Sequence, residues 1–189
     1  MIYRATTLDG AWIVEPELRS DDRGYFARTM CRDEMAQHGL AADFVQQNVS
    51  LSRRAGTVRG MHFQRPPRGE VKFIRCTRGA LLDVIVDIRR GSPTYLKHEA
   101  FELSEANHRM LYIPQGFAHG FQTLADDTEA SYLVGAAYAP QFESGLRFDD
   151  PRLAIAWPLP ASEISPKDAE APLIEGDGPD FFTFDKAPA

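Results

Sequence analysis

Polar side chains recur at every second position in the segment QQNVSLS, which begins at residue 46. In an extended strand alternate residues share one face. A small β-barrel fills its interior with side chains or with a ligand, and unpaired polar groups are costly in a dry core. The row therefore either lines a wet pocket or faces solvent, and alternation alone leaves both interpretations open. Its four members are Gln46, Asn48, Ser50 and Ser52.

Three residues with chemical capacity follow this row: Arg59, His62 and Lys72. An imidazole titrates near neutrality, so His62 can both accept and return a proton. A guanidinium and an ammonium bind anions or oppose negative charge that develops during a reaction. On the pocket interpretation, these three residues extend the polar lining that the row begins.

A second interpretation of the same region is a metal site. The stretches HFQRPPRGE (62–70) and PQGFAHGF (114–121) resemble the two-part metal motif of cupins. The motif's second histidine is Gln64 here, and a carboxamide oxygen is a poor ligand for a first-row metal. The candidate ligands would be His62, Gln64, Glu70 and His119.

The elements that must position these residues are mostly strands. Runs rich in β-branched and aromatic residues, separated by turn residues, predict strands and an antiparallel sandwich or barrel. His119 lies in a segment rich in Gly and Pro that is predicted to turn directly before one of these strands. One helix is predicted at 32–40, with Gly39 as its stop. We expect one domain over 1–189, in which 158–189 forms a loop-rich tail covering the rest. The predicted strands are 71–76, 80–88, 98–103, 109–113, 120–124 and 129–134.

Composition excludes several broad classes of protein. The chain has 189 residues, 43% of them hydrophobic and 25% charged, which is typical of a globular domain. A net charge of -6 argues against a general nucleic-acid or membrane-surface binder. Cys31 and Cys76 could form one disulfide, but not a disulfide framework. We see no signal-peptide pattern and no apolar run of membrane-spanning length, and expect a cytoplasmic protein.

A series of motifs follows in a fixed order along the chain and is more specific than any single motif. The stretches are DDRGYF (21–26), FVQQNVSLS (44–52), GTVRGMHFQ (56–64), EVKFIRCTRG (70–79), DVIVDIRRGSPTY (83–95), LYIPQGFAHGF (111–121), AYAPQFE (137–143) and DDPRLAIAWP (149–158). On these motifs the chain resembles the dTDP-4-dehydrorhamnose 3,5-epimerase family over about residues 10 to 172. The resemblance implies an all-β, cupin-type double-stranded β-helix (jelly roll) with short peripheral helices, usually a homodimer.

The resemblance also implies a reaction without a metal or other cofactor. A 4-keto group acidifies the C–H bonds at C3 and C5 of a hexose, and epimerisation needs a base, an acid on the opposite face and a stabilised enolate. The family's base matches His62, and its carboxylate partner matches Asp168. The enolate-stabilising lysine matches Lys72, and the opposite-face acid matches Tyr132.

Binding residues for a nucleotide-diphosphate sugar are implied in the same way. Arg23, Arg59 and Lys167 match family positions near the diphosphate, and Phe26 matches a position at the base. The remaining matches to pocket positions are Gln46, Asn48, His119, Tyr138 and Glu143.

Two departures from the family pattern matter: one at Arg28, a predicted substrate-binding position, and one in the three residues after Tyr132. Family members usually carry an acidic residue that accepts a hydrogen bond from thymine, where this chain has Arg28. A guanidinium only donates, so cytosine or guanine becomes a plausible base beside thymine. After Tyr132 the family often has Lys-Thr-Thr, whereas this chain has Leu133, Val134 and Gly135. That change could alter whether C3, C5 or both are inverted.

Three functions remain open from the sequence. The first is an epimerase acting on a nucleotide-linked 4-keto-6-deoxyhexose. The second is a metal-dependent cupin enzyme. The third is a non-catalytic nucleotide-sugar binder, against which the retention of both His62 and Tyr132 argues, because binding alone requires neither an acid nor a base.

Overall fold

The computed structural model describes residues 1–184, and two antiparallel sheets dominate it. The first sheet has six strands, all paired antiparallel. In spatial order it contains β1 (Ile2–Ala5), β2 (Trp12–Glu15), β11 (Met110–Ile113), β7 (Lys72–Arg78), β13 (Thr128–Val134) and β5 (Gln46–Ser52).

The second sheet has five antiparallel strands and packs against the first. Two small two-stranded sheets lie beside the main pair: the antiparallel hairpin β3 (Arg19–Asp21) and β4 (Gly24–Phe26), and the parallel pair β9 (Arg89–Arg90) and β15 (Phe182–Thr183). In spatial order the second sheet contains β10 (His98–Ser104), β8 (Ala80–Asp87), β12 (Phe117–Thr123), β6 (Val58–Gln64) and β14 (Glu143–Gly145).

Helices contribute little to this architecture. The described residues contain α1 (Arg32–Gln37), α2 (Pro166–Ala169) and one 3-10 turn, Pro140–Phe142. Facing antiparallel sheets with such short helices confirm the prediction of an all-β, cupin-type jelly roll. No helix within residues 1–184 is long and apolar enough to cross a membrane. Cys31 and Cys76 are free thiols, so the disulfide considered from the sequence does not form.

Strand β8 is covered on both faces. Leu81 and Ile85 lie fully buried between the two sheets, in a core that also holds Ile74 and Leu111. The alternate residues from Leu82 to Ile88 share the opposite face and pack against the later part of the chain through residues such as Ile174. Burial of both faces explains why this strand is apolar almost throughout.

The structure changes two boundaries predicted from the sequence. Strand β12 begins at Phe117, not at residue 120, so the prediction that His119 precedes the strand is wrong. The turn is complete at Gly116, whose positive φ of 84° and close approach to Arg89 require glycine, and extended structure starts directly after it. Helix α1 ends at Gln37, earlier than residue 40.

The tail contains only short regular elements within the described residues. It contains α2 and β15, and Glu163 forms a parallel bridge to Thr57 beside β6. Residues 185–189 of the tail assigned to 158–189 lie outside the described residues.

Candidate active site

A cleft opens between the two sheets and is closed on one side by the segment that carries α2. Its main cavity has a volume of about 440 Å³. A second cavity of about 310 Å³ continues from it. Both cavities are lined by His62, Lys72 and Tyr132, so these three predicted catalytic residues face one continuous space.

The alternating polar row on β5 points into this cleft and not to solvent. Gln46 and Asn48 line the second cavity, and Gln46 Nε2 donates to Asn48 Oδ1 over 2.9 Å. Ser50 lines the main cavity. Ser52 is buried, and its Oγ accepts a 3.1 Å hydrogen bond from Arg59 Nε. The wet-pocket interpretation of the row is therefore confirmed.

His62, on β6, is hydrogen-bonded to Asp168, on α2. The distance from His62 Nε2 to Asp168 Oδ1 is 2.6 Å. The other carboxylate oxygen accepts the Gly60 N–H at 3.2 Å. Ser165 begins α2 as its N-cap and accepts the Asp168 N–H, which fixes the position of this residue in the helix.

The surroundings of Asp168 favour its ionised form. Burial disfavours the charge, but the hydrogen bonds from His62 and from the Gly60 N–H prevail and hold the pKa of Asp168 below its ordinary value. An ionised carboxylate only accepts hydrogen bonds, so His62 Nε2 carries the proton and the lone pair resides on Nδ1. The pair thus sets a tautomer with one basic nitrogen.

A bulge brings Arg59 and His62 into the same cleft. Residues three apart on a regular strand face opposite sides. Pairing with β12 shifts register between His119 and Phe121, so the strand gains the extra residue that turns both side chains inward. Gly60 makes this possible, because a Cβ there would lie 2.4 Å from the Gly120 Cα.

Lys72, at the start of β7, is paired with Glu70 over 2.5 Å. Lys72 is only 8% exposed, so the ion pair is largely buried at the wall of the cleft. The sequence analysis considered Glu70 only as a metal ligand. Its E-x-K spacing, which returns to the same side of an extended chain, is the signal that could have identified the ion pair.

Tyr132 reaches the cleft from β13, on the first sheet, whereas His62 reaches it from the second. Burial raises the pKa of the Tyr132 phenol, the nearby Glu70 carboxylate raises it further, and Arg59 opposes the change. The phenol is therefore protonated at neutral pH and available as an acid.

His119, which lines the main cavity, forms a second imidazole–carboxylate pair with a carboxylate buried behind the cleft wall. Its Nε2 lies 2.9 Å from Oδ2 of Asp83, which is fully buried. Complete burial raises the pKa of Asp83, and the neighbouring His119 and Lys72 offset this only in part. The sequence analysis did not select Asp83, although a carboxylate within an otherwise apolar strand is a recognisable signal.

At the cleft's edge Tyr138, Glu143 and Lys167 form a connected group. The Tyr138 hydroxyl donates to Glu143 over 2.9 Å, and Lys167 forms an ion pair with the same carboxylate. Burial disfavours ionisation of Glu143, but hydrogen bonds from Lys167 and Tyr138 bring its pKa below the ordinary value. These three predicted binding residues therefore lie together.

Of the departures after Tyr132, Val134 faces the second cavity, where a hydroxyl-bearing threonine would offer a hydrogen bond. Leu133 instead packs against the outer apolar cluster of the first sheet.

Three predicted binding residues lie outside the cleft of this chain, on the β3–β4 hairpin or directly after it. Arg23 is exposed and paired with Asp21, and Arg28 is paired with Glu34 over 2.7 Å. Phe26 is 68% exposed. The hairpin is therefore available for contacts beyond its own chain.

The metal-site interpretation does not fit the geometry. Gln64 is buried, and its amide accepts the Ala139 N–H and donates to the carbonyl of Arg68. Each histidine directs Nε2 at its own carboxylate. Within residues 1–184, no group of three or more His, Cys, Asp or Glu side chains is arranged to hold a metal ion.

Comparison with known proteins identifies the family of this chain. A family model described as dTDP-4-dehydrorhamnose 3,5-epimerase matches residues 5–176. A dTDP-4-dehydrorhamnose 3,5-epimerase of Sinorhizobium fredii is 43% identical over 92% of this chain and 90% of the relative. A dTDP-4-dehydrorhamnose 3-epimerase of Streptomyces niveus is 39% identical over 92% of this chain and 84% of its own length.

A solved structure gives the same result. The crystal structure of dTDP-4-dehydrorhamnose 3,5-epimerase from Bacillus anthracis, with TDP and PPi bound, is 42% identical. It superposes with a TM-score of 0.89 over 92% of this chain and 99% of that one. The chain is therefore an epimerase that belongs to the dTDP-4-dehydrorhamnose 3,5-epimerase family.

Proposed function

We propose that this epimerase inverts C3, C5 or both carbons of a nucleotide-linked 4-keto-6-deoxyhexose through an enolate. The observation that carries the proposal is the His62–Asp168 pair, which faces Lys72 and Tyr132 across one cleft. The comparisons support it, because similar proteins carry the names dTDP-4-dehydrorhamnose 3,5-epimerase and dTDP-4-dehydrorhamnose 3-epimerase.

His62 is the proposed base. Its Nδ1 takes the proton from the carbon beside the ketone, and the C–H electron pair moves to form the enolate with negative charge on the 4-oxygen. Asp168 accepts the Nε2–H and stabilises the imidazolium that forms. Lys72 opposes the charge on the 4-oxygen, and its largely buried position strengthens this effect.

Tyr132 is the proposed acid. It donates its phenolic proton to the enolate carbon from the face opposite His62, the enolate electrons form the new C–H bond, and the ketone is restored. A pKa above the ordinary phenol value keeps the proton in place until a strongly basic carbon is present. His62 and Tyr132 lie on different sheets, which supports action on opposite faces.

The remaining cleft residues are proposed to hold the nucleotide sugar. Arg59 and Lys167 supply cations for the diphosphate, and Gln46, Asn48 and His119 supply hydrogen bonds along the cleft. The Bacillus anthracis relative was solved with TDP bound. Arg28 lacks the acceptor that thymine's ring N–H requires, so the proposal includes cytosine- and guanine-linked sugars beside the thymine-linked one.

We also propose that the chain folds as one domain over 1–189 and acts as a homodimer. In a dimer, the exposed hairpin that carries Arg23 and Phe26 would reach the cleft of the second copy. Free thiols at Cys31 and Cys76 support a reducing, cytoplasmic location.

The test is solvent-hydrogen exchange. The purified chain is incubated in deuterated water with dTDP-, CDP- and GDP-linked 4-keto-6-deoxyglucose, and deuterium at C3 and C5 is followed by NMR. We expect exchange and inversion at C3, C5 or both with at least one of the three. Binding of a nucleotide sugar without exchange would contradict the proposal and would instead support the non-catalytic binder.

A further inference from the structure

Ser50 differs from the other members of the polar row on β5. Gln46 and Asn48 bond to each other, and Ser52 holds Arg59. The Oγ of Ser50 is buried, and no group within residues 1–184 forms a hydrogen bond with it. Buried hydroxyls in proteins almost always have a partner, so this one requires an explanation.

The neighbours of Ser50 explain why the protein itself supplies no partner. Across the sheet, Ser50 lies opposite Ala130, whose methyl group can neither donate nor accept. Along the strand, the side chains of Asn48 and Ser52 are already hydrogen-bonded to other groups.

The position of this hydroxyl indicates what it binds. Four other side-chain atoms in the described chain are also buried without a partner, on Tyr3, Arg65, Asp83 and Arg90. None of these residues lines the cleft, whereas Ser50 lines the main cavity together with His62, Lys72 and Tyr132. An unpaired hydroxyl that both donates and accepts, placed beside the reacting groups, is complementary to a sugar hydroxyl.

We propose that Ser50 is a substrate-binding residue that hydrogen-bonds the C2 hydroxyl of the hexose. The inference rests on the proposed function and extends it. A 4-keto-6-deoxyhexose attached through C1 has free hydroxyls only at C2 and C3. The C3 hydroxyl changes direction when C3 is inverted, so a fixed contact through the reaction suits the C2 hydroxyl. The diphosphate is assigned to Arg59, which lies near Ser52, about 7 Å further along the strand.

The experiment pairs a protein hydroxyl with a substrate hydroxyl. Wild type and Ser50→Ala are assayed for deuterium exchange at C3 and C5, using the parent nucleotide sugar and its 2-deoxy analogue. We expect Ser50→Ala to lower kcat/KM roughly tenfold on the parent, as for the loss of one hydrogen bond. With the 2-deoxy analogue, the kcat/KM of wild type should fall by a similar factor. The kcat/KM of Ser50→Ala should be the same for the analogue as for the parent.

Two controls separate binding from structure. Ser131→Ala removes a serine hydroxyl from the outer face of the same sheet, where it contacts Gln47, and should leave kcat/KM unchanged. The Tm of ligand-free Ser50→Ala should be no lower than that of wild type, because the lost hydroxyl has no partner in the described chain and its removal forfeits no hydrogen bond. A Tm loss that parallels the loss of activity would overturn the proposal in favour of a structural role.

Other outcomes are equally decisive. Unchanged kcat/KM in Ser50→Ala overturns the Ser50 contact and leaves the proposed function intact. A 2-deoxy penalty of the same size in wild type and Ser50→Ala assigns the C2 hydroxyl to another residue and also overturns it. If the wild type exchanges hydrogen in no nucleotide sugar, the proposed function and this inference both fail.

Discussion

Asp168, which lies 106 positions after His62 in the chain, determines which imidazole nitrogen of His62 is basic. The carboxylate accepts the Nε2–H, and Nδ1 is left as the proton acceptor. Removing the imidazole therefore removes the base while leaving the cations and amides of the cleft in place.

We expect His62→Ala to lower solvent exchange at C3 and C5 by about 10²–10⁴-fold, the range for loss of a general base. The Kd for the nucleoside diphosphate should change little, and calorimetric titration measures it. His98→Ala, on β10 outside the cleft-lining residues, is the matched control. Equal loss of exchange in both variants would contradict the assignment.

Tyr132 receives its raised pKa from burial and from Glu70, and the same carboxylate neutralises part of the Lys72 charge. One acidic side chain thus acts on both the proposed acid and the proposed enolate-stabilising group. The phenol remains protonated at pH values where an ordinary tyrosine begins to ionise.

We expect Tyr132→Phe to separate exchange from inversion. His62 still removes a proton and, in deuterated water, returns deuterium to the same face, whereas delivery from the opposite face is lost. NMR should show deuterium in unchanged substrate and inverted product reduced by at least about tenfold. Tyr3→Phe, whose hydroxyl lies outside the cleft, is the control. Undiminished inversion would exclude Tyr132 as the acid.

At the scale of elements, the four-residue helix α2 positions Asp168 beside His62. A helix of this length has little stability of its own. It is fixed to β6 by the hydrogen bonds of Asp168 to His62 and to the Gly60 N–H. The same bonds that prepare the base therefore attach the tail segment to the sheet.

We expect Asp168→Asn to be destabilised by about 1.5–3 kcal/mol at neutral pH, the range for hydrogen bonds to a charged group. Because folding lowers the pKa of Asp168, its ionised form stabilises the native state at pH values above about 4, where the unfolded residue ionises. This stabilisation is lost as the pH falls through the lowered folded pKa.

Urea unfolding of wild type and Asp168→Asn between pH 3 and pH 7 measures the effect. The difference between the two proteins should be largest near pH 7 and should shrink in acid. Asp149→Asn, which breaks an exposed pair with Arg147, should change stability by less than about 1 kcal/mol. A difference that grows as the pH falls would contradict the proposed coupling.

At the scale of the whole molecule, one cleft contains the proposed chemistry, while part of the proposed nucleotide-binding set lies elsewhere. The β3–β4 hairpin and the residues directly after it carry Arg23, Phe26 and Arg28 on an exposed surface. A homodimer in which each hairpin serves the other cleft would bring the two parts together.

Mixed dimers test this arrangement. His62→Ala lacks the base and Arg23→Ala/Phe26→Ala lacks the hairpin contacts, so each should be weakly active alone. Refolded together in equal amounts, they should recover roughly a quarter of the wild-type sites, because half of the dimers form one intact cleft. Solvent exchange measures the recovery, and each variant refolded alone is the control. No recovery from a mixture that sediments as dimers would show that each hairpin serves its own chain.

Local pattern was sufficient for much of this protein. The rhythm of strands and turns predicted an antiparallel all-β domain, and ordered motifs such as GTVRGMHFQ predicted the family and His62 as its base. Period-two alternation grouped the polar row of β5, because side-chain direction in a strand depends only on position parity.

Tertiary structure decided the side-chain directions and contacts that strand alternation alone does not predict. The bulge at Gly60 turned both Arg59 and His62 into the cleft, because close approach of Gly120 shifts the strand register. Whether the row on β5 met a cleft or solvent depended on how the second sheet packs against the first. The pairing of His119 with Asp83 depended on packing too, because distances between strands arise only when the sheets assemble. Sequence alone determined which chemical groups are available, and the fold determined which of them meet.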